Sequence, residues 1–189
     1  MFYKTELKDH IRVPPKHFNL PTEEAVIARI KKKYDGYISK DLGIVIDVAG
    51  VKNIREGVII AGDGASYYDA TFELLIFKPE VHEVVHGKIK DIADFGAFIN
   101  IGPMEGMIHV SQTMDDFVSF AKDKVLTGKD SKNTLKVGDT CKARIIAVSF
   151  KDVSSPKLGL TMRQEFLGKT EWIAEEKSGE SKEKKKKDK

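Results

Sequence analysis

Three flat side chains in the second half of the chain are placed to stack against other flat groups. Alternation along a strand puts the apolar residues on both sides of Phe98 on the inner face and Phe98 itself on the outer face. The same alternation turns His109 outward, and Gly96 permits a bulge or tight bend that brings Phe95 to that face. Stacking of an unpaired nucleic-acid base on such a ring contributes about 1–3 kcal/mol to binding, whichever base it is. The spacing therefore predicts a stacking surface for unpaired bases.

Basic side chains are predicted to surround these rings and to contact phosphates. Lys88 and Lys90 flank the inward Ile89, and Lys142 and Arg144 flank the inward Ala143. Lys157 is the first residue of the last predicted strand. The whole chain has 32 Lys and Arg against 29 Asp and Glu. No segment is strongly basic, because the net charge is 0 over residues 1–80, +1 over 81–168 and +2 over 169–189. Any nucleic-acid binding must then depend on the local placement of basic side chains and on base stacking, which argues against a general duplex-DNA binder.

The other reactive residue types do not form a catalytic or metal constellation. His82 and His86 lie in a predicted strand with no third ligand, so no metal site and no cofactor are expected. Gly62-Asp63-Gly64 lacks the further glycine and the lysine of a phosphate loop and is interpreted as a turn. Asp115-Asp116 is interpreted as solvated surface, and Cys141 as a small inward core residue.

The second half of the chain is predicted to be all β. Its polar stretch Gln112–Lys136 is too rich in Lys, Asp, Ser and Gly for a core element and is interpreted as a long connection. Three strands, that connection and two more strands fit the five-stranded OB barrel. The predicted strands are Val84–Ile92, Gly96–Ile101, Met107–Ser111, Thr140–Phe150 and Lys157–Arg163.

The first half is predicted to be one main helix on a small antiparallel sheet, so that the chain as a whole is α+β. Thr22 is expected to cap a helix that begins at Glu23, and Gly36 to end it. Domain boundaries are expected at 1–79, 80–168 and 169–189, with a disordered Lys-rich tail over Ser178–Lys189. The predicted strands are Phe2–Leu7, Ile11–Val13, Gly43–Asn53, Val58–Ala61 and Tyr68–Phe77.

The chain is expected to be cytoplasmic. Its start has charges throughout and no apolar stretch long enough for a signal peptide. The longest apolar clusters are too short to cross a bilayer, and a single cysteine excludes an internal disulfide.

The barrel segment resembles the S1 RNA-binding domain over roughly Val81–Arg163. Asp94-Phe95-Gly96-Ala97-Phe98, then Gly106–Ser111 and Leu158–Arg163, carry the resemblance. It implies that Phe95, Phe98, His109 and Lys157 face RNA. Ser149 departs from the family at a position that is frequently acidic.

Nearly the whole chain resembles the E-prime family of archaeal RNA polymerase stalk subunits, relatives of the seventh subunits of the eukaryotic nuclear polymerases. The resemblance implies a truncated RNP-like tip domain that docks on the polymerase core, with Gly62, Asp63 and Gly64 in the docking loop. It further implies a stable heterodimer with the smaller of the two stalk proteins, which is called F. It also implies a distal S1 domain that holds single-stranded nascent RNA. Catalysis is not expected of this chain alone. The resemblance is carried by Ile11–Pro15, Gly62–Tyr67, Ile101–Gly106, Ser111–Asp116 and Leu160–Trp172.

Two other functions compete with this interpretation. S1 domains accompany exonucleases, but the eighty N-terminal residues offer neither a carboxylate cluster nor the length of a catalytic domain. The chain could also be an S1 component of an exosome-like or translation initiation complex. Initiation-factor alpha subunits carry their S1 domain at the N-terminus, whereas here it is C-terminal.

Overall fold

The structure, a computed structural model, describes residues 1–121, 123–152 and 156–174. The chain forms two compact units, one covering Met1–Lys78 and a second that begins at Pro79. The tail predicted to be disordered, 178–189, lies outside the described residues. Over the ranges that the structure covers, no helix combines the length and the apolar character needed to cross a membrane.

The first unit is a single antiparallel sheet with one α-helix and a short 3-10 helix, Pro15–His17. The other elements are β1 (Phe2–Val13), α1 (Thr22–Tyr34), β2 (Ile38–Ser39), β3 (Gly43–Ile54), β4 (Val58–Ile59) and β5 (Ser66–Phe77). The sheet follows the order β1-β5-β3-β2, with β1 and β5 paired along their whole length, and β4 pairs with β5 beside it. The prediction of one main helix on a small antiparallel sheet is confirmed.

The core of this unit lies between α1 and one face of the sheet. Val26 and Ile30 of the helix are completely buried, as are Phe72 and Leu74 of β5. Burial of an aliphatic or aromatic side chain of this size contributes about 1.5–3 kcal/mol. The apolar stripe of α1 therefore fixes the helix on the sheet.

Two details of the first unit differ from the sequence prediction. The helix begins at Thr22 and not at Glu23, and Thr22 does not cap it, because the preceding Pro21 occupies the cap position without a side-chain hydrogen bond. The first two predicted strands are one strand, β1, because its polar middle pairs with β5 without a break. The Asp9 side chain in this middle part accepts a 2.7 Å hydrogen bond from the hydroxyl of Tyr34.

The second unit contains a closed five-stranded barrel, as predicted. The strands described in this unit are β6 (Val84–Ala93), β7 (Gly96–Asn100), β8 (Glu105–His109), β9 (Val118–Ala121), β10 (Val125–Gly128), β11 (Thr134–Lys136), β12 (Thr140–Ser149), β13 (Lys157–Thr161) and β14 (Gly168–Lys169). Strands β6, β7 and β8 form an antiparallel meander, β13 lies parallel to β8, and β12 closes the barrel by pairing with both β13 and β6. The predicted ends of the barrel strands differ from the observed ones by two residues or fewer.

The interpretation of Gln112–Lys136 as a connection without core elements is wrong. This segment contains a three-stranded sheet in the order β11-β10-β9, called the insertion sheet below. Leu126 and Leu135 lie opposite each other in it and are completely buried. Each of these short strands brings very few apolar residues to the buried face, so the average composition of the segment stays polar.

Candidate nucleic-acid interface

The β7–β8 hairpin brings the three predicted rings to one outer surface of the barrel, called the ring platform below. Phe98 lies opposite Met107, and His109 lies opposite Gly96. Phe95 lies in the two-residue turn between β6 and β7, with its ring centroid 5.9 Å from that of Phe98 at an interplanar angle of 87°. The surface thus presents an edge-to-face phenylalanine pair beside an imidazole.

The rings differ in exposure. Phe95 is 48% exposed, and His109 and Met107 are exposed as well. The outward direction of Phe98 along its strand predicts an exposed ring, but the ring is half-buried. It does point outward, because its neighbours along β7, Ala97 and Ile99, are completely buried. Its partial burial follows from the edge-to-face contact with Phe95.

Gly96 is required for the close approach of β7 and β8. A Cβ atom at this position would lie 2.2 Å from the carbonyl oxygen of Ile108. The turn that carries Phe95 is held down beside it, since the N–H of Val110 donates to the Phe95 carbonyl at 2.9 Å. The strand bulge of this region is not at Gly96 but in β6, between Ile89 and Asp91.

Ser111 fixes the orientation and the tautomer of His109. The Ser111 hydroxyl lies 2.8 Å from Nδ1 of His109, and its backbone N–H donates to the same nitrogen at 3.3 Å. Because Nδ1 accepts from a backbone N–H, the neutral ring carries its proton on Nε2. The Nε2–H group of His109 is therefore available to donate to a ligand on the platform.

Carboxylates and ammonium groups alternate at the edge of the ring platform. Asp91 lies directly opposite Phe98 and accepts a 2.7 Å hydrogen bond from the Lys124 ammonium, which lowers the pKa of this carboxyl. Lys90 forms an ion pair with Glu105. The edge is thus close to neutral, which agrees with the even charge distribution of the sequence.

The basic residues named from the sequence do not all lie beside the rings. Lys88 is exposed on β6 and pairs with Asn100 of β7, and Lys157 begins β13, the parallel neighbour of β8. Lys142 and Arg144 are half-buried on β12, which β6 and β13 separate from the ring-bearing strands. Sequence alternation predicted their outward direction but not the strand order that separates them from the rings.

Sequence reasoning missed Met107 and Lys124 as neighbours of the rings. Alternation along the strand places Met107 on the same outer face as His109, so its position was predictable from the sequence. Lys124 lies in the segment interpreted as a connection, so only the fold reveals that it reaches Asp91.

The loop expected to dock on a polymerase core is anchored by Asp63. Its carboxylate accepts hydrogen bonds from the Arg12 guanidinium at 2.6 and 2.8 Å and from the Tyr67 hydroxyl at 2.7 Å. The Arg12 hydrogen bonds hold the pKa of this carboxyl well below its usual range. The Asp63 side chain is therefore engaged within the unit, while Gly62 and Gly64 are exposed.

The apolar residues just before this turn are the exposed part of the loop. Val58, Ile59 and Ile60 are 63%, 67% and 52% exposed. The residue pattern predicts a strand over Val58–Ala61, and β4 lies there. The pattern does not indicate that the side chains of β4 are exposed.

The described residues offer little for redox or metal chemistry. No group of three or more potential His, Cys, Asp or Glu ligands clusters among them. Cys141 is completely buried inside the barrel, and burial raises the pKa of its thiol to about 12. A thiol in that state is a core residue and not a nucleophile.

Comparison with known proteins agrees with both units. Residues 78–154 match the S1 RNA binding domain, and residues 8–64 match the SHS2 domain found in the N terminus of Rpb7p/Rpc25p/MJ0397. The two matches correspond to the barrel and the helix-on-sheet unit respectively.

Several relatives at 34–36% identity are DNA-directed RNA polymerase subunits. Subunit Rpo7 of Sulfolobus acidocaldarius is 36% identical over 93% of this chain and 97% of its own length. Rpo7 of Saccharolobus solfataricus is 36% identical over 94% and 99% of the two chains. DNA-directed RNA polymerase III subunit rpc8 of Schizosaccharomyces pombe is 34% identical over 66% of this chain and 61% of its own. The chain therefore belongs to the Rpo7 family of DNA-directed RNA polymerase subunits.

Proposed function

We propose that this chain is a stalk subunit of a cytoplasmic DNA-directed RNA polymerase and that its barrel holds the emerging single-stranded transcript. The observation that supports this most is the ring platform: Phe95, Phe98 and His109 share one outer surface of an S1 barrel. Unpaired bases stack on such rings without regard to sequence, which suits a surface that meets every transcript.

The charge at the platform supports single strands over duplexes. Carboxylates lie at its edge, and Asp91 and Glu105 each neutralise a lysine. A duplex hides its bases and is held mainly through its phosphates, so it would gain little on this surface. A single strand exposes its bases and gains the stacking energy.

Polymerisation chemistry belongs to other subunits in this proposal. Nucleotidyl transfer requires metal ions held by carboxylates around the growing end. This chain contributes a binding surface and an anchoring unit, with no cofactor of its own.

The anchoring unit is proposed to dock on the polymerase core through the loop that contains Val58–Ile60 and the Gly62–Gly64 turn. Exposed aliphatic side chains next to a rigid turn are typical of a surface that another protein covers. Asp63 serves this role indirectly, by holding the turn in place through Arg12. The smaller stalk protein, F, is proposed as the stable partner, as the family resemblance implies.

Binding of single-stranded RNA to the full-length chain tests the proposed function. Fluorescence anisotropy would compare the native chain with Phe95→Ala/Phe98→Ala/His109→Ala, using a 12-nucleotide RNA of mixed sequence. Loss of three stacking partners should weaken binding by at least about tenfold. Phe18→Ala removes an exposed phenylalanine from the first unit and serves as the matched control. Unchanged affinity in the triple variant would refute the proposal.

A further inference from the structure

We infer that the insertion sheet forms a second wall of the RNA path, with Phe117 and Phe120 taking bases beyond those on the ring platform. This inference rests on the proposed function, since it extends the same surface. Four observations carry it: the direction of Phe120, the exposure of Phe117, and the attachment of the insertion sheet to the platform at each of its two ends.

Phe120 faces the same side of the insertion sheet as its buried leucines. In antiparallel pairs, residues directly opposite each other share a face. Phe120 lies opposite Leu126, which lies opposite Leu135. Both leucines are completely buried, yet Phe120 is 42% exposed. Because β9 is an edge strand of this sheet, the Phe120 ring lies at the margin of the covered face.

Phe117, just before β9, presents its ring on a fixed backbone. The side chain is 80% exposed, the highest value among the large apolar residues described. Its N–H donates to Asp116 Oδ1 at 2.6 Å, and its carbonyl accepts from the N–H of Lys129 at 2.8 Å. Because the backbone is already fixed, only the side-chain torsions of Phe117 lose freedom when a base stacks on its ring.

Asp116 is the residue that holds this end of the insertion sheet together. Its Oδ2 accepts from the N–H groups of Asp130 and Ser131 at 3.0 and 2.9 Å and from the Ser131 hydroxyl at 2.9 Å. The hydrogen bond from the Ser131 backbone is the main cause that lowers the pKa of this carboxyl. Asp116 thus lies at the surface, as interpreted from the sequence, but its carboxylate is engaged in these hydrogen bonds.

The two ends of β9 are attached near the two ends of the ring platform. At one end, a cleft of about 700 Å³ is lined by Phe117 and Ser111, and Ser111 is hydrogen-bonded to His109. At the other end, Lys124 in the turn after β9 reaches Asp91, which lies opposite Phe98. The strand with the additional rings thus runs beside the platform from its His109 end to its Phe98 end.

RNA fits this wall better than a protein partner does. The wall presents aromatic rings and adjoins the ring platform, and like the platform it is not basic, because Lys124 pairs with Asp91 and Arg163 pairs with Asp115. Stacked bases rather than phosphates would therefore carry the contact. A stable protein interface would instead bury a contiguous apolar patch, whereas the charged side chains Asp115, Asp130 and Arg163 line the cleft at this end of the wall.

The test compares RNAs of two lengths on the full-length chain. The variant Phe117→Ala/Phe120→Ala is measured by anisotropy with a 4-nucleotide and a 12-nucleotide RNA, beside the triple platform variant and Phe18→Ala. The wall variant should lose at least about fivefold in affinity for the 12-mer and change little for the 4-mer. The platform variant should lose affinity for both RNAs. Circular dichroism checks that each variant is folded.

The outcomes separate this inference from the proposed function. If the wall variant binds the 12-mer like the native chain while the platform variant does not, the second wall is refuted and the proposed function stands. If the native chain binds neither RNA, both are refuted. Photocrosslinking of 4-thiouridine RNA to the native chain gives an independent measurement, with crosslinks expected in the peptide around Phe117–Phe120; crosslinks confined to the barrel would also refute the wall.

Discussion

Phe98 shows how much of the proposed RNA-binding surface can be predicted from the residues around one position. Its buried neighbours Ala97 and Ile99 fix its outward direction, and alternation along the strand predicted this correctly. Its half-burial depends on Phe95, whose position follows from a two-residue turn and from the close approach of Gly96 to Ile108. Contacts of that kind depend on turn geometry, which the strand pattern does not contain.

At the residue scale we expect Phe98→Leu to weaken RNA binding with a small effect on stability. Leucine keeps much of the buried volume, so the free energy of unfolding should change by less than about 1.5 kcal/mol. The aromatic face is lost, so the dissociation constant for single-stranded RNA should rise by about fivefold or more. Anisotropy and urea unfolding measure the two quantities. Equal RNA affinity in the leucine variant would show that Phe98 makes no stacking contact.

At the scale of elements, the barrel strands were predictable and the insertion sheet was not. The barrel strands have five or ten residues and alternate, with buried residues such as Ile89 and Ile145 on their inner face. Leu126 has a single apolar neighbour along the chain, Val125, and Leu135 has none, so their burial appears only when β10 and β11 pair. Short strands are stabilised by their neighbours more than by their own composition, which is why the sequence pattern failed here.

The β7–β8 hairpin should not tolerate a side chain at Gly96. The Cβ atom of Gly96→Ala would meet a backbone carbonyl oxygen at 2.2 Å, which only a shift of the strands relieves. We expect the free energy of unfolding to fall by about 1–3 kcal/mol. Gly159→Ala in β13 is the matched control, because its Cβ has only ordinary contacts, the nearest at 3.5 Å. Equal stability of the two variants in urea unfolding would contradict this account of the hairpin.

The Arg12–Asp63–Tyr67 cluster should make the first unit sensitive to acid. The pKa of Asp63 is lower in the folded chain than its unfolded value of about 4. A carboxyl of this kind stabilises the fold above the unfolded pKa, and the contribution is lost as the pH falls through the folded pKa. Sequence reasoning did not find this cluster, because 51 residues separate Arg12 from Asp63.

The variant Asp63→Asn should therefore be less stable at pH 7 and should lose less stability below pH 4 than the native chain does. Urea unfolding followed by far-ultraviolet circular dichroism between pH 3 and pH 7 measures both quantities. Asp41→Asn, an exposed carboxylate of the same unit, is the control. A native chain and an Asp63 variant with parallel pH profiles would refute the role assigned to the cluster.

For the whole molecule, family membership was predictable because its motifs are distributed over both units. Matches to the S1 and SHS2 domains confirm the resemblance stated from the sequence. The placement of the basic residues was less predictable. Lys142 and Arg144 have the right alternation, but strand order puts β12 two strands away from β7 through β6.

The even charge distribution predicts a weak dependence of RNA binding on salt. For single strands, the slope of log affinity against log salt is about −0.7 per neutralised phosphate. With Lys90 and Lys124 already paired to carboxylates, we expect a slope no steeper than about −2. Anisotropy titrations from low to high KCl measure it. A much steeper slope would indicate binding dominated by phosphates and would contradict a platform based on stacking.

The most direct test of the account is to locate the transcript on the assembled polymerase. An elongation complex containing the native chain would carry 4-thiouridine at defined positions of the nascent RNA, and crosslinked peptides would be identified by mass spectrometry. We predict crosslinks to the peptides that carry Phe95, Phe98 and His109 once the RNA is long enough to leave the enzyme, and their loss in the triple alanine variant. Transcripts that crosslink efficiently to other subunits and never to these peptides would contradict the account.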